Sequence, residues 1–210
     1  RVLGSADDSP APAAEQGQPA TIESLEAAAE ADPGNALAWQ QLGFALFQEG
    51  RFAEAATAYE RATVADPEGA VLWSALGEAR VMASTADPLP AAAAEAFERA
   101  LALDPGDARA RYFLAVRRDL SGDHEGAIGD WLALLADTPV GAPWEGDLVR
   151  TIEQVGRINN IEVTSRIIAA AEARSVLPGN ALAGPAAQGR GPTAEQVAAA
   201  SALTPTQQQE

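Results

Sequence analysis

Apolar positions recur along this chain in paired helical stretches, and the pairs repeat at intervals near 34 residues. The clearest stretch is residues 36–67, ALAWQQLGFALFQEGRFAEAATAYERATVADP. Trp39, Leu42 and Leu46 lie three and four apart, as do Ala55, Tyr59 and Ala62, which is the spacing of one face of an α-helix. Gly50 stands between the two faces and predicts a turn, because glycine accepts the positive φ that ends a helix. Pro67 stops the second helix. Gly43, beside Leu42, lets the second backbone come close where the two helices cross, and Ala55 is the small residue facing it. One such pair cannot bury its own apolar face, so it needs neighbours.

The neighbours are in the sequence. Trp73, Leu76 and Gly77 follow Trp39, Leu42 and Gly43 by 34 residues. Ala93, Phe97, Ala100 and Pro105 follow Ala55, Tyr59, Ala62 and Pro67 by 38, so the second pair gains four residues in its turn, within 84–90. Ala127, Trp131, Leu134 and Pro139 come 34 further on. There Leu114 and Ala115 replace the Leu-Gly pair, Gly122 matches Gly50, and Arg111 replaces the tryptophan. The order W-x2-L-G-x2-Y, A-x3-F, P is that of the tetratricopeptide repeat, with Leu46 in the tyrosine position. The resemblance to that family implies an all-α fold, a right-handed superhelix (α-solenoid) of three full repeats with flanking helices.

Taken in order, residues 1–20 are rich in Pro, Ala, Ser and acid and predict a flexible linker. The repeat domain is expected over 21–176. Thr21 caps a half repeat (21–35), the full repeats span 36–69, 70–107 and 108–141, and capping helices fill 143–176. One of these starts near Pro143-Trp144. The other presents Val163, Ile167, Ile168 and Ala171 as one apolar face. Residues 177–192 predict a linker, and 193–210 a helical tail with Thr193 and Gln196 as a capping box. A second such box at Thr204–Gln207 opens a helix that runs out of chain, and Arg1 is not a Met. The natural protein is expected to extend beyond both ends.

Composition narrows the chemistry. The net charge is −16, which argues against nucleic acid and against an anionic membrane surface. All fourteen basic residues are Arg. With no Cys there is no disulfide, thiolate nucleophile or Cys metal site, and His124 alone cannot build an ordinary zinc site. No stretch of 18 apolar residues is present to span a bilayer. No Ser/His/Asp set has a strand-turn-helix setting, and Gly189-Arg190-Gly191 follows no strand. Neither catalytic residues nor a cofactor or metal is expected, so the chain reads as a non-enzymatic binding module. His124 reads as an exposed residue at a helix start. Arg109, Arg111, Arg117 and Arg118 form a basic cluster that either meets an acidic partner or pairs with Asp107, Asp119 and Asp123.

In a tetratricopeptide stack the first helices line a concave face. Counting the residue three before the tryptophan as position one, the inner positions are two, five, nine, twelve and thirteen. The first repeat supplies Leu37, Gln40, Phe44, Phe47 and Gln48, and the second Val71, Ser74, Glu78, Val81 and Met82. The third supplies Arg109, Tyr112, Val116, Asp119 and Leu120. The expected site is a mostly apolar trough suited to an amphipathic helix with anchors at i, i+3, i+4 and i+7. The alternative is that the C-terminal helices cover it. Lysine is absent and Gln40, Phe44 and Ser74 hold the relevant places, so a clamp for a C-terminal carboxylate is not expected.

A narrower resemblance follows the third repeat. DWLALLADTPVGAPW (130–144), the helix after Trp144, and RGPTAEQVAAA (190–200) resemble the periplasmic C-terminal domain of bacterial cytochrome c maturation repeat proteins of the CcmI/CycH type. The resemblance implies a periplasmic chaperone tethered to the inner membrane through an N-terminal portion not in this sequence. Its implied client is unfolded apocytochrome c, held by its C-terminal amphipathic helix and passed to the haem-lyase and thiol-reducing subunits. The alternatives are a generic adaptor or scaffold in another cell-envelope assembly, and a stack that self-associates.

Overall fold

A computed structural model describes residues 21–176, the side chains of Ser175 and Val176 excepted. The segments read as linkers at 1–20 and 177–192, and the tail at 193–210, lie outside the described residues. Among the described residues there are nine α-helices and no strand. They are α1 (Ile22–Ala31), α2 (Ala36–Gln48), α3 (Phe52–Ala65), α4 (Ala70–Ala83), α5 (Ala91–Leu103), α6 (Ala108–Leu120), α7 (His124–Asp137), α8 (Glu145–Ile158) and α9 (Thr164–Val176).

The local signals explain where the helices start and stop. Thr21, Asn35, Asp107 and Asp123 each accept a hydrogen bond from a backbone N–H of the first turn, satisfying one of its unpaired donors. Gly50 takes a φ of 73° at the turn between α2 and α3. The longer turn of the second repeat falls between Ala83 and Ala91, where Ser84 Oγ donates to the Asp87 carbonyl at 2.7 Å.

Each helix packs on its neighbours in chain order, α2 on α3, α3 on α4 and onward. Trp39 Nε1–H donates to the Pro33 carbonyl at 3.1 Å and Trp73 Nε1–H to the Pro67 carbonyl at 2.9 Å. The tryptophan of each of these repeats thus ties its first helix to the proline closing the unit before. In the third repeat Arg111 holds Asp137 at 2.8 Å instead. Two buried clusters result. One runs from Ala29 through Trp39, Leu46 and Tyr59 to Leu76; the other gathers Phe97, Phe113, Tyr112, Trp131, Leu148 and Val163, with Trp73 packed against both.

The C-terminal end departs from the repeat. α8 packs on α7 as the first helix of a fourth unit would, but α9 lies chiefly against α7 as well. Val163 and Ala170 are buried there and Ile167 is half-buried, whereas Ile168 is 54% exposed. Of the expected face, Val163, Ile167 and Ala171 turn inward and Ile168 does not; Ala170 takes its place, because α9 turns toward α7. Arg166 bonds Glu125 of α7 at 2.7 Å and Arg174 bonds Glu145 of α8 at 2.5 Å.

Candidate functional site: the inner face of the first helices

The inner face is built by α2, α4 and α6. Equivalent residues are 34 apart between α2 and α4 and 38 apart between α4 and α6. The register between successive first helices is set by Arg109. Its Nη1 donates to Ser74 Oγ at 3.3 Å, and its Nε lies 2.9 Å from Glu78 Oε2. Position two of one first helix thus faces positions five and nine of the helix before it. The stack has three such junctions, and they differ.

In the first junction Gln40 and Phe44 of α2 are the counterparts of Ser74 and Glu78, and Val71 of α4 is the counterpart of Arg109. Phe44 is 59% exposed, as is Leu37 seven residues earlier on the same side of α2. No first helix precedes α1 among the described residues, so nothing covers Leu37 as Glu78 and Ser74 cover Arg109. Gln40 is half-buried. Phe47 is half-buried too, its ring edge-on to Phe52 at 5.0 Å.

The second junction is polar and closed. Ser74 and Glu78 are buried and Arg109 is nearly so. Glu78 Oε1 has no hydrogen-bond partner, and the Nε–H of Arg109 is not aimed at Oε2, so that contact is coulombic. Burial pushes the Glu78 carboxyl up to about 7, with Arg109 opposing and Asp107 adding to the rise. Burial also raises Asp107, against its capping bond from the Ala110 N–H. Tyr59, which feels both Arg109 and Glu78, is pushed by its own burial up to about 12.

The third junction is apolar and closed. Tyr112 and Val116 are fully buried, in one cluster with Trp144, Leu148 and Ile152 of the α8 region. The Tyr112 carbonyl accepts from Trp131 Nε1–H at 3.3 Å. Among the remaining inner positions, Val81 and Asp119 are buried, while Val71 and Met82 are half-buried. The expected continuous trough is therefore narrowed. Ser74, Glu78, Val81, Tyr112, Val116 and Asp119 are buried and offer no surface, and the open apolar part is Leu37 and Phe44 of α2, with Phe47, Val71 and Met82 half-buried.

The family models for the tetratricopeptide repeat match residues 13–79 and 89–142. The chain is a tetratricopeptide-repeat protein. It is 32% identical over 127 residues to the cytochrome c-type biogenesis protein CycH of Bradyrhizobium diazoefficiens, covering 60% of this chain and 34% of that one. It is 31% identical over 113 residues to the protein of the same name from Rhizobium meliloti, covering 54% of this chain and 29% of that one. The repeat protein is thus CycH-like, and it spans about a third of the length of these curated relatives. The crystal structure of MamA superposes with a TM-score of 0.56 at 22% identity, over 73% of this chain and 84% of that one. That likeness supports the solenoid fold and nothing more.

Other candidate residues of the repeat protein have partners. Arg117 pairs with Glu98 at 2.6 Å, and Arg118 with Asp123 and Asp130 at 2.6 and 2.7 Å. Of the acids expected to neutralise the arginine cluster, Asp123 forms an ion pair and Asp107 feels Arg109 while capping α6; Asp119 lies 2.6 Å from His124 Nδ1 instead. His124 is accordingly half-buried rather than free. Among the described residues no group of three or more His, Asp or Glu is placed to hold a metal ion, and no helix is long and apolar enough to cross a membrane. The Glu78–Arg109 pair was the feature sequence reasoning missed. Its signal was a carboxylate at position nine of one repeat and a guanidinium at position two of the next.

Proposed function

We propose that the repeat protein is a non-enzymatic, peptide-binding chaperone of cytochrome c maturation that holds unfolded apocytochrome c by its C-terminal amphipathic helix. The observation that carries the reading is the pair Leu37 and Phe44, each 59% exposed on the inner side of α2, in a chain similar to CycH proteins. Leaving two large apolar side chains in water has no benefit to the fold, and two exposed apolar anchors on one helix, with Gln40 between them, suit a partner. Leu37 and Phe44 are seven residues apart, about 10 Å along the helix axis, which matches two turns of a bound helix. Each anchor buried there contributes about 1.5–3 kcal/mol, and ordering the peptide opposes part of that.

In this reading the protein acts in the periplasm, tethered to the inner membrane in its full-length form. It passes its client to the haem-lyase and thiol-reducing subunits. The test is calorimetric titration of the chain with peptides covering the C-terminal helix of its own organism's c-type cytochrome. Saturable binding at micromolar or lower concentration, lost in Phe44→Asp, is the expected result. Absence of binding at high peptide concentration would overturn it.

A further inference from the structure

We infer that the helix held on the inner face of α2 is cationic; this deepens the peptide-binding reading above and rests on it. Charge is distributed unevenly along the stack. Residues 21–107 hold fifteen Asp and Glu against four Arg, whereas residues 108–176 hold ten against eight. The imbalance is greatest at the end that carries the open apolar positions. Residues 21–50 contain Glu23, Glu26, Glu30, Asp32 and Glu49 and no basic residue at all. All five carboxylates are exposed.

Their placement follows from the α1–α2 hairpin. Glu30 and Asp32 come at the end of α1, next to the start of α2 and Leu37. Glu23 and Glu26, in the first half of α1, act on Arg51 at the turn that follows α2, the end that carries Phe44 and Glu49. Arg51 offsets them only in part, being one cation among Glu23, Glu26, Glu49 and Glu54. Its Nε and Nη2 are both engaged by Glu54, at 2.7 and 2.5 Å. The next cation, Arg61, lies over the Trp39 ring at 5.1 Å. The apolar positions of α2 therefore have an excess of negative over positive charge around them. A helix with Leu- or Phe-like anchors on one face and Lys or Arg on its flanks is complementary to that arrangement. An acidic helix of the same apolar pattern is repelled.

The test uses the whole chain and three labelled helical peptides with identical apolar anchors, their polar positions filled with Lys and Arg, with Gln and Ser, or with Glu. Affinities are read by fluorescence anisotropy at about 0.02 M and about 0.5 M salt, conditions that span weak and strong screening. The expected result is that the cationic peptide binds about tenfold or more tighter than the neutral one at low salt, and that high salt removes most of the difference. Combined Glu26→Gln, Glu30→Gln and Glu49→Gln should shrink that preference and leave the neutral peptide unchanged. Phe44→Ser, which adds no charge, should weaken both. Equal affinity for cationic and neutral peptides, with both lost in Phe44→Ser, would overturn the charge inference and leave the peptide-binding reading standing. Cationic binding that ignores Phe44→Ser or the glutamine variant would overturn it as well. Failure of all three peptides to bind would overturn both.

Discussion

The first and third junctions of the inner face are equivalent in the repeat and opposite in outcome. Phe44 and Val116 both occupy position nine of a first helix, yet Phe44 is 59% exposed and Val116 is 1% exposed. The difference lies in what comes next. Val116 lies in one buried cluster with Trp144, Leu148 and Ile152, whereas Phe44 belongs to neither buried cluster. Between them, the second junction closes with an ion pair. A repeat fixes where backbones run and which positions face one another. It leaves the chemistry at those positions free, so one site in the repeat is a buried ion pair, a core or an exposed apolar side chain.

The strongest way to break this comparison is to make one substitution at both sites. Val116→Asp buries a carboxylate with no partner and is expected to cost more than about 4 kcal/mol, enough to unfold the C-terminal half. Phe44→Asp places the same group in water and should move stability by no more than about 0.5 kcal/mol, while abolishing peptide binding. Urea denaturation of the two variants beside a binding assay reads both. Comparable destabilisation by the two would mean that Phe44 is a core residue.

The second junction offers the next largest effects. Arg109→Met keeps the aliphatic stem but strands Glu78, and breaking a buried pair from one side costs about 3–5 kcal/mol. The loss should be smaller at pH 5 than at pH 8, because a protonated Glu78 needs no counter-ion. Wild-type stability should follow pH for the same reason. The folded-state pKa of Glu78 is raised from 4.5 to about 7, so the folded state binds the extra proton. The stabilisation is fully present below pH 4.5, is lost as pH rises toward about 7, and is flat above, a contribution of about 3 kcal/mol across the window. Asp107, also raised by burial, adds in the same direction at lower pH. Glu78→Gln should flatten the upper part of this profile. A denaturation midpoint that does not fall between pH 5 and pH 7.5 in the wild type would remove Glu78 as the cause.

Much of this fold was legible in the chain. Thr21 marks a helix start, Gly50 and Gly122 mark turns, and the Trp-Leu-Gly and Ala-aromatic-Pro spacings mark the pairs. These are local signals, and local geometry obeyed them. The candidate site was legible only in part. The repeat register marked Leu37 and Phe44 as inner positions, and both are exposed. It equally placed Tyr112 and Val116 there, and gave no sign that they would be fully buried. The arginines on α6 illustrate the same limit. Acids near in sequence were the expected partners, but Glu78, Glu98, Asp130 and Asp137 are brought in by other helices. Which face α9 buries was likewise decided by its lean onto α7, a tertiary choice that its own pattern does not contain.

The smallest effect separates the first two repeats at their helix crossings. A Cβ built on Gly43 would meet the Tyr59 ring at 3.0 Å, and one on Gly77 would meet the Phe97 ring at 2.7 Å. Replacing a mid-helix glycine by alanine gains up to about 1 kcal/mol of helix propensity, so the sign depends on whether the ring can yield. Tyr59 needs to move only a few tenths of an ångström. Phe97 must move farther, and it is fully buried and stacked on Phe113 with centroids 4.8 Å apart and planes within 9°. Gly43→Ala is therefore expected to be neutral within about 0.5 kcal/mol, and Gly77→Ala to cost about 1–2 kcal/mol through overpacking. Thermal midpoints of the two single variants decide it. Equal midpoints would mean that the second repeat adjusts as readily as the first, and that its closed junction does not stiffen the crossing beside it.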